Sequence, residues 1–305
     1  VSGLSEIAQT LFPDFVRAAP PEASRELLRA AGALYFAVNA GERQRIERSI
    51  DDLLGPGDRA ETVKRRVFGN IAEHYFEKLL VANRPLGFVR SFARDRIACE
   101  GLENLDEAAA LGRGVLAVTA HWGAVELVPP ALAVRGYPVS IVLETKTPRL
   151  RAALERAAAG AGARLIIASR GDRVLERILA ELSEGRVLVT QVDEVDAWRR
   201  RPSRTIRLFG NSLFFDHSLD FIAKRSGSPS VGLFCRRSEG LRYRLRCEAL
   251  ALDPRGTNVA ERALRLWERM LLESPEQWYE WKKWELMKTG SGQRDDGITA
   301  GPEAV

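Results

Sequence analysis

From Ile97 onward the chain alternates short apolar runs with segments of helical spacing, and this rhythm narrows the fold more than any other feature. "IACEG", "GVLAVTA", "PVSIVLE", "ARLIIAS" and "RVLVTQVD" read as strands. Between them, "ENLDEAAALG", Val125–Val134, 148–160 and 171–184 read as helices. Helix 217–226, the strands "SPSVGLFC" and "LRYRLRCEA", and helix 258–273 follow. A run as continuously apolar as "GVLAVTA" suits a strand buried on both faces, as in a parallel sheet. Strands and helices taking turns predict an α/β fold: an open mixed, mostly parallel sheet flanked by helices. Upstream, "PEASRELLRAAGALYFAVNA", "ERQRIERSIDDLLG" and 58–83 read as helices, the last with Val63, Val67, Ile71 and Phe76 on one side. The chain thus divides into an N-terminal helical segment (1–95), an α/β domain (96–288) and a tail (289–305). The tail lacks apolar spacing and is expected to be disordered.

Composition removes several function classes. Cys99, Cys235 and Cys247 have no close spacing, which argues against a zinc knuckle or redox pair and for thiols buried as small apolar groups in a reducing compartment. Three scattered histidines offer no paired ligand spacing, so no metal site is expected. The best candidate for a spanning segment, Ala30–Ala40, is flanked by Arg29 and Glu42 and falls short of roughly 20 residues. The opening residues show no basic-apolar-small pattern, so a signal peptide is not expected. Membrane contact, if made, is expected to be peripheral. The net charge of +5 is clustered at Arg199, Arg200, Arg201, Arg204 and Arg207, and again at Arg236, Arg237, Arg242, Arg244 and Arg246. Arginine forks suit phosphate, carboxylate and anionic headgroups, although the second cluster reads equally well as a solvated strand face. No ribonucleoprotein motif or helix-turn-helix accompanies them, so nucleic acid is not an expected partner.

The stretch "VLAVTAHWGAVE" carries the chemistry. His121 follows an apolar strand directly, and in open α/β sheets reactive groups gather beyond the strands' carboxyl ends. Gly123 permits a sharp turn and close approach of a ligand. Residues five apart in a helix are offset by about 140°, so His121 and Glu126 cannot share a helical face. With His121 ahead of the first turn, Glu126 can still reach back to Nδ1–H, fix the tautomer and leave Nε2 as a general base. Without a Gly-x-Ser-x-Gly elbow, such a base acts on the substrate, most simply on an alcohol. Taken alone, His-x4-Glu also fits a structural histidine capping a helix. His74, between Glu73 and Glu77, is expected at the surface or its boundary.

The block "IACEGLENLDEAAALGRGVLAVTAHWGAVELVPPAL" resembles the signature region of bacterial lipid A biosynthesis acyltransferases, within the lysophospholipid acyltransferase superfamily. Glu100, Gly101, Glu103 and Leu105 match its first motif; Gly112, Gly114, Val115, His121 and Glu126 match its second. Arg170, Leu182, Gly185 and Asp193 match the next block. Phe209, Gly210, Ala223, Gly227, Pro229, Phe234 and either Arg236 or Arg237 match a third, and "SPEQWYEWKKW" resembles the closing motif. The resemblance covers roughly 20–285 and implies a glycerol-phosphate acyltransferase-like fold.

It also implies transfer of a fatty acyl chain from a thioester to a hydroxyl of a membrane glycolipid such as a lipid A precursor. The usual donor in the family is acyl carrier protein, whose acyl-phosphopantetheine is a co-substrate, with coenzyme A left open as the alternative; no other cofactor is expected. His121 and Glu126 would be catalytic. Backbone amides near Gly123, and Arg170, would stabilise the oxyanion. Asp193 would bind acceptor or support the dyad, and Phe209 and Gly210 belong to the substrate-binding set. Arg199, Arg200 and Arg201, beside Trp198, would meet anionic headgroups or the carrier. The aromatic closing stretch (Trp278, Tyr279, Trp281, Trp284) is read as divided between interface and core. The implied location is the cytoplasmic face of the inner membrane, held peripherally by the N-terminal segment. Ala124-Val125 and Asp216-His217-Ser218 depart from the family pattern. They keep open an acceptor other than lipid A, or a lipid-binding relative without transfer activity; His217 reads either as a helix cap or as part of a changed acceptor pocket.

Overall fold

A computed structural model describes residues 8, 10–144, 148–168, 173–194, 204–252 and 258–288. The chain begins with helices α1 (Pro13–Ala18), α2 (Pro21–Val38), α3 (Ala40–Leu54), α4 (Asp58–Asn83) and α5 (Leu86–Arg96). Proline opens α1 and α2 at a position where its missing N–H costs nothing. Asp58 and Glu61 place negative charge in the first turn of α4, where the helix dipole favours it. Helix α5 was not anticipated, because its short pattern ("LGFVRSFARDR") buries only Val89, Phe92 and Ala93.

The sheet follows: β1 (Ile97–Glu100), α6 (Leu102–Ala110), β2 (Val115–Thr119), α7 (Val128–Ala133), β3 (Val139–Leu143), α8 (Pro148–Ala161), β4 (Arg164–Ile167), α9 (Val174–Ser183) and β5 (Val187–Gln191). A hairpin, β6 (Arg204–Leu208) and β7 (Asn211–Phe215), leads through α10 (Ser218–Ser226) to β8 (Ser230–Ser238) and β9 (Arg242–Ala251). Helix α11 (Val259–Glu273), two 3₁₀ turns and α12 (Trp284–Met287) close the chain.

The seven strands lie in the order β1-β9-β8-β2-β5-β3-β4. Every pairing is parallel except β8 with β9. The mixed, mostly parallel sheet expected from the alternation is therefore present, and β2, at its centre, is buried at every residue. The two-stranded β6–β7 ribbon is a separate addition that the alternation did not predict.

Register places the site. β2 and β5 pair in parallel with Thr119 opposite Gln191, and Val192 N–H continues the ladder to the Thr119 carbonyl at 2.7 Å. His121 and Asp193 each lie two residues beyond that pair, so they emerge side by side at the carboxyl edge. The closing segment then runs past the same edge as a short antiparallel bridge, Trp122 opposite Trp278. Gly123 N–H donates to the Gln277 carbonyl at 2.9 Å, and Tyr279 N–H to the His121 carbonyl at 3.2 Å. Trp278, Tyr279, Trp281 and Trp284 are all buried, which corrects the expectation that some of these rings rest at an interface. Trp267, Trp278 and Trp281 meet edge to face, an arrangement the aromatic quadrupole favours.

The helical segment is bound to the sheet by a buried ion pair. Arg237 on β8 bonds Glu77 of α4 with both arms of its fork (2.7 and 2.8 Å) and donates to the Gly123 carbonyl at 2.6 Å. Burial pushes the Glu77 carboxyl up even against this guanidinium, while Glu77 holds Arg237 firmly charged. Such a pair is tolerable in the interior because its polar atoms are matched. Arg237 is the buried member of the second arginine cluster; Arg236, Arg242 and Arg244 face solvent, with Arg244 paired to Glu100 at 2.8 Å.

Candidate active site

His121 is fixed from both its backbone and its ring by one carboxylate. Its N–H donates to Asp193 Oδ1 and Oδ2 at 3.0 and 3.1 Å, and its Nδ1 lies 3.0 Å from Oδ1. Trp278 Nε1 donates to Oδ2 at 2.8 Å. Asp193 is fully buried; burial opposes its charge, but the imidazole and these hydrogen bonds hold it below the usual carboxylate range. An ionised Asp193 requires the proton on Nδ1, which leaves Nε2 turned to the cavity.

The partner expected for Nδ1 was Glu126, and this is corrected. Glu126 sits in the 3₁₀ turn Val125–Leu127, and its Oε1 stands 3.6 Å from Lys78 Nζ and 3.9 Å from His74 Nδ1. The turn directs the glutamate toward α4, and strand register gives Nδ1 to Asp193 instead. Asp193 supports His121 and, being buried, offers no surface to an acceptor.

A second carboxylate faces the other ring nitrogen. Glu194 Oε2 is 3.7 Å from His121 Nε2, and Glu194 Oε1 is 3.2 Å from Lys283 Nζ. Burial alone would lower the pKa of His121, but Asp193, then Glu194 and Glu280, outweigh it and carry the ring up to about 9. The imidazole is therefore cationic at neutral pH in the free protein. The charge stabilises the fold fully below the ordinary value near 6.5, and that contribution is lost as pH rises through about 9.

These groups open on a cavity of about 850 Å³, within the range of ligand pockets, about 300–1,000 Å³. Its polar end holds His121, Glu126, Glu194, Lys78 and Lys283. The wall includes apolar residues, Ile71 of α4, Pro130 and Ala133 of α7, Ile141 of β3, and Leu154 and Ala157 of α8, together with the charged Arg17, Arg84, Arg90, Glu144 and Arg156. His74 lies in this wall, buried, where a boundary position was expected. The helical segment thus supplies part of the site.

Other expectations fare differently. Gly123 takes φ 61°, and a Cβ there would overlap the Cys235 carbonyl oxygen. Its N–H is committed to Gln277 and that of Ala124 to Cys235 at 2.7 Å, so neither amide is available to an oxyanion. Gly123 is a packing requirement, not a substrate ligand. Phe209 and Gly210 form the β6–β7 turn, both with positive φ, as a two-residue hairpin of this kind demands. The Phe209 ring packs edge-on to Trp267 and Trp284, and its N–H donates to Glu268 Oε1 at 2.5 Å. The pair anchors a hairpin and does not line the cavity. Ser218 N–H donates to Asp216 at 2.6 Å, and His217 Nδ1 is 3.2 Å from Asp220, so this departure from the family pattern serves the start of α10. Arg170, Arg199, Arg200, Arg201 and the 289–305 tail lie outside the described residues. Lys78, Lys283 and Glu194 are among the cavity residues that sequence reasoning missed. Of these, only Glu194 carried a signal, by following the aspartate that ends β5.

Among the described residues, no group of three His, Cys, Asp or Glu side chains is placed to hold a metal. The chain matches the family model described as bacterial lipid A biosynthesis acyltransferase over residues 9–284. A search of curated proteins gave no match. Among solved structures it is similar to the crystal structure of the 1-acyl-sn-glycerophosphate (LPA) acyltransferase PlsC from Thermotoga maritima. The identity is 14% and the TM-score 0.42, over 83% of this chain and 97% of that one.

Because the Glu194 carboxylate adds to the field that favours the protonated ring, Glu194→Gln is expected to move the titration of His121 downward from about 9. Histidine Cε1–H shifts followed by NMR across pH 6 to 10 would show it. An unchanged midpoint would contradict the assignment.

Proposed function

This chain belongs to the bacterial lipid A biosynthesis acyltransferase family and is an acyltransferase that acts on lipid; on that footing, we propose that it moves a fatty acyl chain from acyl carrier protein to a hydroxyl of a membrane glycolipid, such as a lipid A precursor, with His121 as general base. The observation that carries this reading is that Nε2 of an Asp193-oriented imidazole shares a cavity with apolar side chains from α4, α7, β3 and α8.

The chemistry balances on one proton. Neutral His121 takes the hydroxyl proton on Nε2 while the alcohol oxygen attacks the thioester carbonyl. Asp193 stabilises the imidazolium that forms. The tetrahedral intermediate collapses, the C–S bond breaks, and the imidazolium returns its proton to the departing thiolate. Lys78 and Lys283, at the polar end, supply positive potential for the oxyanion. The apolar wall takes the acyl chain. Because the ring is cationic in the free protein, the transfer requires loss of a proton from His121 first, and is favoured by higher pH.

Peripheral attachment to the cytoplasmic face of the inner membrane is part of the proposal. Among the described residues, no helix is long and apolar enough to cross a membrane. The outer face of α2 instead exposes Leu27, Leu34 and Val38, the last two by 68% and 72%, and the neighbouring N-terminal helical stretch exposes Leu11 and Phe15. An apolar helix face of this kind lies in the headgroup boundary.

Two measurements test the proposal. With acyl-carrier-protein thioester and glycolipid, His121→Ala should lower turnover by about 10²–10⁴-fold in protein that circular dichroism shows to be still folded. Full activity in that variant would refute the base assignment. Lipid binding by the wild-type protein without any acylated product would favour the lipid-binding relative. Separately, the double variant Leu34→Glu/Val38→Glu should lose co-sedimentation with anionic vesicles. Retained binding would place the contact elsewhere.

A further inference from the structure

Facing the cavity beside His121 is a second imidazole that the proposed chemistry does not use. The His74 ring lies flat on Tyr279, with centroids 3.7 Å apart and planes at 14°. The same phenol meets His121 edge-on at 5.6 Å and 87°. One rigid ring therefore sets the spacing between the two imidazoles. Tyr279 is in turn fixed through its backbone N–H to the His121 carbonyl.

His74 is only 5% exposed, and its Nδ1 is buried with no hydrogen-bond partner. Glu126 Oε1 stands 3.9 Å away, too far for a hydrogen bond, and Lys78 Nζ lies 3.6 Å from that same oxygen. All three side chains line the cavity. A buried polar atom without a partner is uncommon and calls for an explanation, such as a group that arrives with a ligand. A packing role accounts for the burial of His74 but not for an unpartnered Nδ1 standing 3.9 Å from a carboxylate oxygen.

We infer that His74 and Glu126 bind a second hydroxyl of the acceptor, bridging Nδ1 and Oε1, while a nearby hydroxyl of the same headgroup faces His121. This deepens the acyl-transfer reading above and rests on it. A hydroxyl is suited to the gap because it both donates and accepts: it gives its proton to the carboxylate and takes a hydrogen bond from the imidazole. Burial, with Lys78, Arg237 and His121 nearby, pushes His74 well below the ordinary histidine value, so its ring is neutral with one N–H to offer. The motif glutamate thereby becomes a positioning residue for the acceptor, and the site selects polyols over lone alcohols.

The test compares two acceptors of equal chain length, dodecyl β-D-glucoside and 1-dodecanol, with acyl carrier protein thioester as donor. The wild-type protein should favour the glucoside in kcat/KM by about 10-fold or more. His74→Gln and Glu126→Gln should each raise the glucoside KM and bring that ratio toward one, with the KM for the thioester donor at its wild-type value. Circular dichroism melting identifies any variant that has failed to fold, and the other variant then decides. A wild-type ratio near one, or a ratio unchanged in the folded variants, overturns the inference while leaving acyl transfer intact. Transfer to neither alcohol nor to any glycolipid overturns the acyl-transfer reading and this inference with it.

Discussion

Three donors converge on the buried carboxylate of Asp193, and the rest of the site depends on that convergence. A lone carboxylate in the interior is strongly disfavoured. Here the His121 backbone, the His121 ring and the Trp278 indole each supply an N–H. Hydrogen bonds to a charged group contribute about 1.5–3 kcal/mol each, enough to offset much of the desolvation. The same bonds determine which imidazole nitrogen carries the proton and where the other points. They also tie three distant parts of the chain, the ends of β2 and β5 and the closing aromatic segment, to one atom pair.

Two carboxylates with different tasks follow from that arrangement. Asp193, behind the ring, fixes orientation; Glu194, in front, raises the affinity of Nε2 for a proton and is itself held by Lys283. Glu126 is excluded from both tasks because its turn directs it to α4, where His74 and Lys78 wait. That helix is also where Arg237 and Glu77 join the helical segment to β8, so the His74 side and the His121 side of the cavity are held in one frame.

Much of this was legible in the sequence wherever the signal was local. The "VLAVTA" run is a strand buried throughout, and His121 stands at its carboxyl end as expected. The α/β alternation predicted the sheet, and the family resemblance agrees with the match over 9–284. The misreadings share a cause. Pairing His121 with Glu126 used proximity along the chain, whereas Asp193, 72 residues away, reaches Nδ1 only because β5 inserts beside β2. Strand neighbours of that kind leave no periodicity to read. His74 looked like a boundary residue between two glutamates, yet Glu73, His74 and Glu77 are all buried. Their partners, Arg25, Tyr279 and Arg237, come from other elements. Phe209 and Gly210 carried a family motif whose purpose here is a hairpin turn packed on tryptophan.

The most direct test sets Asp193→Asn against Glu126→Gln in single-turnover measurements of acyl transfer at saturating acceptor. If Asp193 holds the tautomer, its loss should slow the chemical step by up to about 10⁴-fold, as expected when an amide reverses the proton's preferred nitrogen. Glu126→Gln should leave that step far faster than Asp193→Asn does. A chemical step abolished by Glu126→Gln and preserved in Asp193→Asn would contradict the account at its foundation.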